Sequence, residues 1–413
     1  MIAVFLTPVY LLFQYYILSW IFVWASSLSP AFDSVWFRAP AAVFYLFLAF
    51  SPLTGMLVTK NPFHHMFKVI GNLWLGIFLY LLLFVLAFDG IRRLAGYLDF
   101  FGYRYPSSIA SMHRSLLICG GIILLLLVCI GIRGVQRACK ITVRHEFIVL
   151  ETCCRLPKLD IVLLADLHLG CNSSMKQLQK LVDAVNRENP DLVCIAGDIF
   201  DNEYDAISSP ERACAILSGI ESRYGVYACW GNHDVSEKIL AGFTFSSKEK
   251  REREHRFEQF LRDAGIFLLE DEVRLIDGAF YLGGRKDPDM ARKEQDTRLP
   301  VEKLLMSLNR SVPMILMEHQ PKELKKAQSA GVDLLLSGHT HNGQMFPANL
   351  FLRFFWENPW GILKKGSMIS AVTSGACVWG PPMRLGTDNE IMVLHTTFQK
   401  PYASGTNIPP DSK

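Results

Sequence analysis

Acidic residues are missing from most of the first third of this 413-residue chain: the first Glu is Glu146, and residues 1–32 carry no Asp, Glu, Lys, Arg or His. Stretches without Asp, Glu, Lys or Arg also cover Ala39–Thr59, Val69–Phe88 and Ser115–Ile132. Each is about as long as a helix needs to cross a hydrocarbon core roughly 30 Å thick at about 1.5 Å per residue. Four such runs, in a chain that is 50% hydrophobic, argue against a wholly water-soluble protein. They predict a multi-pass membrane region with four spanning helices over residues 1–135, followed by a linker at 136–154. The first run has no basic start and is too long and aromatic for a cleavable signal peptide. Trp20, Trp24, Trp36 and Tyr103 fall near the predicted span ends, where amphipathic rings favour the headgroup layer. No charged residue falls mid-span to mark an ion path.

A disulfide framework is missing too. The ten cysteines show no paired spacing, several sit in apolar runs (Cys194, Cys229, Cys377), and vicinal Cys153 and Cys154 are poorly placed to bridge. This usage favours a reducing, cytoplasmic side for the rest of the chain. Loop charge does not decide the matter: Lys60, Lys68, Arg133, Arg137, Lys140 and Arg144 lie on one predicted side, Arg38, Arg92, Arg93, Arg104 and Arg114 on the other. A net charge of only +3 gives no reason to expect a nucleic-acid partner.

From Lys158 the pattern changes to short apolar runs alternating with amphipathic segments. Asp160–Ala165, Leu192–Ala196, Val226–Trp230, Met314–Met317, Leu334–Leu336 and Met368–Val372 read as buried strands. Between the first two, Met175, Leu178, Leu181, Val182 and Val185 recur at helical spacing after a cap at Asn172 or Ser173. Lys248–Arg262 reads as a charge-dense helix with Phe257, Phe260 and Leu261 inward. The alternation predicts a layered α/β domain over 155–398, and the Pro-, Ser- and Gly-containing end at 399–413 reads as a disordered tail.

Chemistry-bearing residues cluster at the ends of these strands, in the order Asp166-Leu167-His168, Gly197-Asp198-Ile199-Phe200-Asp201, Gly231-Asn232-His233-Asp234, Glu318-His319-Gln320-Pro321 and Gly338-His339-Thr340-His341. Oxygen and imidazole donors without thiolate suit divalent Mn, Fe or Zn. Asp166 and His168, two apart on a strand continuation, are expected to point to one side, as are His339 and His341. Asp166, His168, Asp198, Asn232, His319, His339 and His341 make seven donors, enough for two metal ions sharing one carboxylate. Strand C-termini are where open α/β sheets place their sites.

These residues resemble the calcineurin-like metallophosphoesterase superfamily, whose pattern runs D-x-H, G-D-x-x-D, G-N-H-D/E, H, G-H-x-H. Every position is matched over about 240 residues. The resemblance implies a four-layered αββα sandwich with two divalent metals. It implies Asp166, His168 and His341 on one, Asn232, His319 and His339 on the other, and Asp198 bridging. It also implies that His233 lies beside the substrate as the group that protonates or polarises the leaving oxygen, with Asp201 and Asp234 supporting the ligands. Two cations can generate hydroxide near neutral pH and neutralise phosphoryl charge, and an imidazole can serve the leaving group. The form of Gly338–Pro347 and of Pro382–Gly386 is similar to a membrane-associated branch. That branch includes transmembrane proteins with a metallophosphoesterase domain, bacterial phosphodiesterases and some UDP-2,3-diacylglucosamine pyrophosphatases.

Just beyond His341 the chain turns aromatic: Phe346, Leu350, Phe351, Phe354, Phe355, Trp356 and Trp360, ending at Lys364 and Lys365. Such a segment fits the headgroup region of a bilayer and leads us to expect a lipid-linked phosphodiester or pyrophosphate substrate. Arg285, after two glycines, and Arg384 are expected to contact a phosphate or headgroup. The alternatives are a phosphodiesterase for soluble nucleotides and a non-catalytic membrane scaffold with a vestigial fold.

Overall fold

The computed structural model of the protein describes residues 2–57, 63–100, 109–237, 239–240, 243–244, 250–251 and 253–399. The chain divides into two compact units, one built on residues Met1–Gln136 and the other on Arg137–Glu237, Lys248–Trp379 and the residues from Arg384.

The first unit consists mainly of four helices, α1 (Ile2–Leu28), α2 (Val35–Leu57), α3 (Phe63–Phe100) and α4 (Ile109–Ala138). Each contains a stretch long and apolar enough to cross a membrane, at Thr7–Leu28, Val35–Gly55, Phe63–Ala95 and His113–Ala138. One stripe is buried between the helices, with Ile17, Tyr45, Ala49, Trp74, Phe78, Leu81 and Val85, while Leu12, Val43, Phe44 and Leu125 point outward. Apolar on both faces, these helices suit lipid surroundings better than water. Small residues set the close crossing of α2 and α3: a Cβ on Gly71 would lie 2.8 Å from the Pro52 Cα. Trp20, expected near a span end, is instead buried and packs against Trp24 and Phe88. Tyr103 lies outside the described residues.

In the second unit, strands β1 (Ile141–Leu150), β2 (Lys158–Leu164), β3 (Leu192–Ala196) and β4 (Val226–Cys229) come first; β5 (Ile239–Leu240) and β6 (Phe243–Thr244) form a short ribbon of the first unit. There follow β7 (Ile266–Leu268), β8 (Glu272–Ile276), β9 (Phe280–Gly284), β10 (Met314–Met317), β11 (Leu334–Ser337), β12 (Gly361–Lys365), β13 (Met368–Val372) and β14 (Asn389–Phe398). They make two six-stranded sheets, ordered β1-β14-β2-β3-β4-β7 and β12-β13-β11-β10-β9-β8. The period-two alternation of strand side chains builds four layers. Val193 and Ile195 of β3 pack under α5 (Met175–Arg187), α6 (Pro210–Leu217) and α7 (His255–Asp263), while Leu192, Cys194 and Ala196 pack toward the second sheet. Ile315 and Met317 of β10 complete that inner layer, and Met314 and Leu316 pack under α9 (Val301–Leu304) and α10 (Leu324–Ala330). A short α8 (Pro288–Glu294) and α11 (Ala348–Phe351) complete the set.

Residues 136–154 are not a linker. Ile141–Leu150 pairs with Asn389–Phe398 in parallel over ten positions, which brings the domain boundary forward; its alternating, half-exposed sequence carries Arg144, His145 and Glu146 and gives no apolar run. The helix expected over Lys248–Arg262 starts only at His255, capped by the Glu254 side chain; 248, 249 and 252 lie outside the described residues. Residue 399 donates its N–H to Leu150; the expected tail beyond it also falls outside them.

Candidate metal centre

Strands β2, β3 and β4 of one sheet and β10 and β11 of the other all end at one place. The peptide after each strand does not run on extended, as the sequence suggested. Asp166 (φ 58°), His168 (φ 43°), Asp198 (φ 52°), His339 (φ 74°) and His341 (φ 48°) all take left-handed backbone conformations, which costs a non-glycine residue about 1–2 kcal/mol. The loops hold one another in that shape: Asp166 N donates to Gly197 O at 3.0 Å, His168 N to Asp198 O at 3.1 Å, and His339 N to both Asp166 carboxylate oxygens at 3.1–3.2 Å. Glycines leave room for the carboxylates. A Cβ on Gly231 would overlap Asp198 Oδ1, and one on Gly338 would lie 2.6 Å from Asp166 Oδ2.

Two groups of donors converge. His168 Nε2 faces His341 Nε2 at 3.1 Å, with Asp166 Oδ1 3.4 Å from His341 and 3.9 Å from His168. Beside them, His319 Nε2 lies 3.0 Å from Asp198 Oδ2 and 3.2 Å from His339 Nδ1, which is 2.8 Å from Asn232 Oδ1. Asp198 Oδ2 is also 3.9 Å from His168 Nε2, so one carboxylate stands between the groups. All seven expected donors are therefore gathered here. His319 Nδ1 donates to Ala196 O at 2.8 Å, which turns Nε2 inward, the usual arrangement behind a metal-binding imidazole.

Burial drives Asp166 up to about 7, with the Asp198 charge adding to the shift. Burial also opposes the charge on Asp198, yet His319 and His233 hold it well below the usual carboxylate range. Burial disfavours a charge on His319, but Asp198 lifts it to about 10. Burial pushes His168 and His339 down to about 3, His233 to about 4 and His341 well below its ordinary value. His168, His339 and His341 are thereby neutral, with the lone pairs that divalent cations require of imidazole, and the proton that Asp198 favours on His319 Nε2 sits where a cation would replace it. The facing nitrogens of His168 and His341, beside a buried carboxylate, fit a cation between them better than any hydrogen bond. A further acidic group, Glu270, Glu294 and Asp296, fits none: Lys286 Nζ lies 2.5–3.1 Å from all three and Arg253 pairs with two.

The supporting residues are more varied than the motifs suggested. Asp234 accepts from Phe200 N at 2.8 Å and Gly231 N at 2.7 Å, joining two ligand loops. Asp201 Oδ1 lies 3.8 Å from His168 Nδ1. His233 donates its backbone N–H to Asp198 Oδ1 at 2.7 Å, and its ring is bonded to Asn202, a residue the sequence did not single out. Trp356 packs edge-on against His339 at 5.1 Å, and Trp379 lies 5.8 Å from His233. The backbone of Trp379 is clamped twice by the Gln344 side chain at 2.8 and 2.9 Å.

The two arginines expected to meet substrate are both buried. Arg285 pairs with Glu318 at 3.0 Å and Glu323 at 3.2 Å, behind His319. Arg384 donates to Ser374 O at 2.6 Å and Cys377 O at 2.7 Å and reaches His341 O at 3.2 Å. Each is spent on holding a ligand loop, so neither offers its charge to a phosphate. The aromatic segment folds as α11 and a further turn at Leu352–Phe354, with Phe354 and Phe355 about 80% exposed.

Residues 159–343 match the calcineurin-like phosphoesterase family, a range that runs from β2 to just past His341. The chain is 31% identical over 351 residues to a zebrafish (Danio rerio) transmembrane protein with metallophosphoesterase domain, covering 81% of this chain and 74% of that one. The bovine protein of the same description is 26% identical over 401 residues, covering 91% and 85%. An uncharacterized metallophosphoesterase of Helicobacter pylori is 32% identical over 253 residues, covering 59% of this chain and 62% of its own length. By its matched sequence and the donors that sequence gathers, the chain belongs to the calcineurin-like metallophosphoesterase family and is membrane-associated.

Proposed function

We propose that this chain is a membrane-anchored, two-metal hydrolase that cleaves a phosphodiester or pyrophosphate bond in a lipid-linked substrate. The observation that supports it is the convergence of two groups of three nitrogen and oxygen donors with one buried carboxylate, Asp198, between them and His233 at its side. Asp166, His168 and His341 would hold one ion, Asn232, His319 and His339 the other, and Asp198 both. Mn, Fe or Zn bound there supplies Lewis acidity and lowers the pKa of attacking water. The chain's own residues do the rest. Asp198 Oδ1 anchors the backbone of His233, so the ring stands at a fixed distance from the centre, where it serves the leaving oxygen. Arg285 and Arg384 hold the loops of His319 and His341 from behind.

The lipid part of the proposal is supported by Trp356. This ring touches His339 and continues into Phe355 and Phe354, apolar side chains turned to the surroundings, in a chain with four helices long and apolar enough to cross a membrane. A substrate with an acyl tail finds a greasy approach directly beside the ligands.

Purified full-length protein should hydrolyse bis-p-nitrophenyl phosphate only with added Mn, Fe or Zn. Asp198→Ala and His233→Ala should each lower kcat by about 100-fold or more, with metal content reduced only in the first. A wild-type protein that binds metal yet is inert on every diester would instead favour a scaffold. We place the catalytic unit on the reducing, cytoplasmic side because its cysteines are unpaired. Protease should then cut it in inverted vesicles and spare it in intact cells, and the reverse pattern would rule this out.

A further inference from the structure

Asn202 sits one residue beyond the Asp198–Asp201 motif, is fully buried, and commits every polar group it has to the loop that carries His233. Its backbone N–H donates to His233 O at 3.1 Å, its carbonyl accepts from Glu237 N at 3.2 Å, and its Nδ2 donates to Val235 O at 3.0 Å. A carbonyl such as that of Val235 can face only the NH2 end of an amide. The oxygen end is therefore the one turned to His233 Nδ1, and the two are in contact. An amide oxygen accepts and cannot donate, so the neutral ring carries its proton on Nδ1 and leaves the Nε2 lone pair facing away from Asn202. Neither neighbouring carboxylate takes this place: Asp201 lies within 4.8 Å of both His168 and His233, whereas Asn202 is the residue in contact with His233 Nδ1, and Asp234 is occupied by two backbone N–H groups. A carboxylate at 202 would set an oxygen against Val235 O, which accounts for an amide at this position.

We infer that Asn202 is a positioning residue: it fixes the rotation and tautomer of His233 so that Nε2, and not Nδ1, faces the reacting centre, where it would take up the proton released by the attacking water and pass it to the leaving oxygen while Nδ1–H stays on Asn202. The inference rests on the reading of His233 given above. It also makes His233 a group held at both ends, by Asp198 on its backbone and by Asn202 on its ring.

The test uses the full-length protein, zinc-loaded, in lipid nanodiscs, with two aryl methyl phosphates, one releasing p-nitrophenol and the other phenol. Phenol is the poorer leaving group and needs the imidazole more. Asn202→Ala should slow the phenyl ester by about 10- to 100-fold and the p-nitrophenyl ester by less than about 5-fold. His233→Ala should show the same selectivity, the double variant should be no slower than His233→Ala alone, and all should keep two metals per chain. Equal losses on both esters, further slowing of His233→Ala, or loss of metal from Asn202→Ala would overturn the inference and leave Asn202 a scaffold residue. A second readout does not depend on turnover. Nitrogen-15 spectra of labelled histidine should show His233 as the Nδ1–H tautomer in the wild type and lose that signature in Asn202→Ala. A wild-type Nε2–H tautomer overturns the inference outright. A chain inert on both esters removes the proposed activity, while the spectrum still decides the tautomer.

Discussion

Among single residues, the buried arginines have the most definite consequences. Arg285 and Glu318 lie 3.0 Å apart with almost no exposure, inside a network of two arginines and two glutamates in which Arg298 also meets Glu318 and Glu323 also meets Arg285, so removing Arg285 leaves a buried negative charge in excess. Removing one partner of a buried pair costs about 3–5 kcal/mol, because the other is left charged and desolvated, whereas replacing both by apolar side chains is often close to neutral. Arg285→Leu should therefore lower the apparent Tm by several degrees, and Arg285→Leu with Glu318→Leu should recover most of the loss. Thermal melts of the two variants in one detergent check this; a double variant as unstable as the single would show that the pair is not the cause. The same pair explains why the arginine was misjudged from sequence. A charged residue after two glycines reads as a surface contact, and nothing local reveals that Glu318 and Glu323, more than 30 residues away, close over it.

At the level of elements, legibility followed burial. Leu192–Ala196 and Met314–Met317 are apolar throughout, and Met368–Val372 is broken only by the buried Ser370, because each strand has a layer on both sides. The strands β1, β8 and β12 lie at sheet edges with mixed exposure and carry charges such as Arg144, Glu272 and Lys364, and no run marks them. The cluster of candidate donors was legible for another reason: motif order survives whatever the loops do. The left-handed turns at Asp166, His168, His339 and His341 were not, since an aspartate or histidine adopts that shape only when surrounding hydrogen bonds impose it. The aromatic element after His341 makes its own prediction. Replacing Phe354, Phe355 and Trp356 by Ser should cut turnover of a lipid-linked substrate by about tenfold or more and leave a small chromogenic diester within about twofold, since the ligands themselves are untouched. Parallel assays on the two substrates check this, and equal loss on both would sink the idea of a greasy approach.

For the molecule as a whole, acid stability should depend on the charge network behind the centre. Burial opposes the charge on Glu323, but Lys326, Arg298 and Arg285 hold it down at about 2, below its ordinary 4.5. A depressed carboxyl contributes stability that is complete above its unfolded value and is lost as pH falls through the folded one. The window is therefore about 4.5 down to about 2. Over it the Tm of the wild type should fall more steeply than that of Glu323→Gln, and the two curves should be roughly parallel above it. Melts at a series of pH values decide the point, and identical slopes throughout would exclude a role for this group.

The pairing of β1 with β14 has a consequence in time. His145 and its contact His395 are 250 residues apart, and the two strands run in register along their whole length. A ribosome making roughly 5–20 residues per second completes the partner some tens of seconds after the first strand has emerged. Until then β1 waits with an open edge, and β2 waits for its own antiparallel neighbour in the same late strand. The first sheet can close only after nearly all of the described chain has been synthesised, so the donor cluster at its strand ends is completed late.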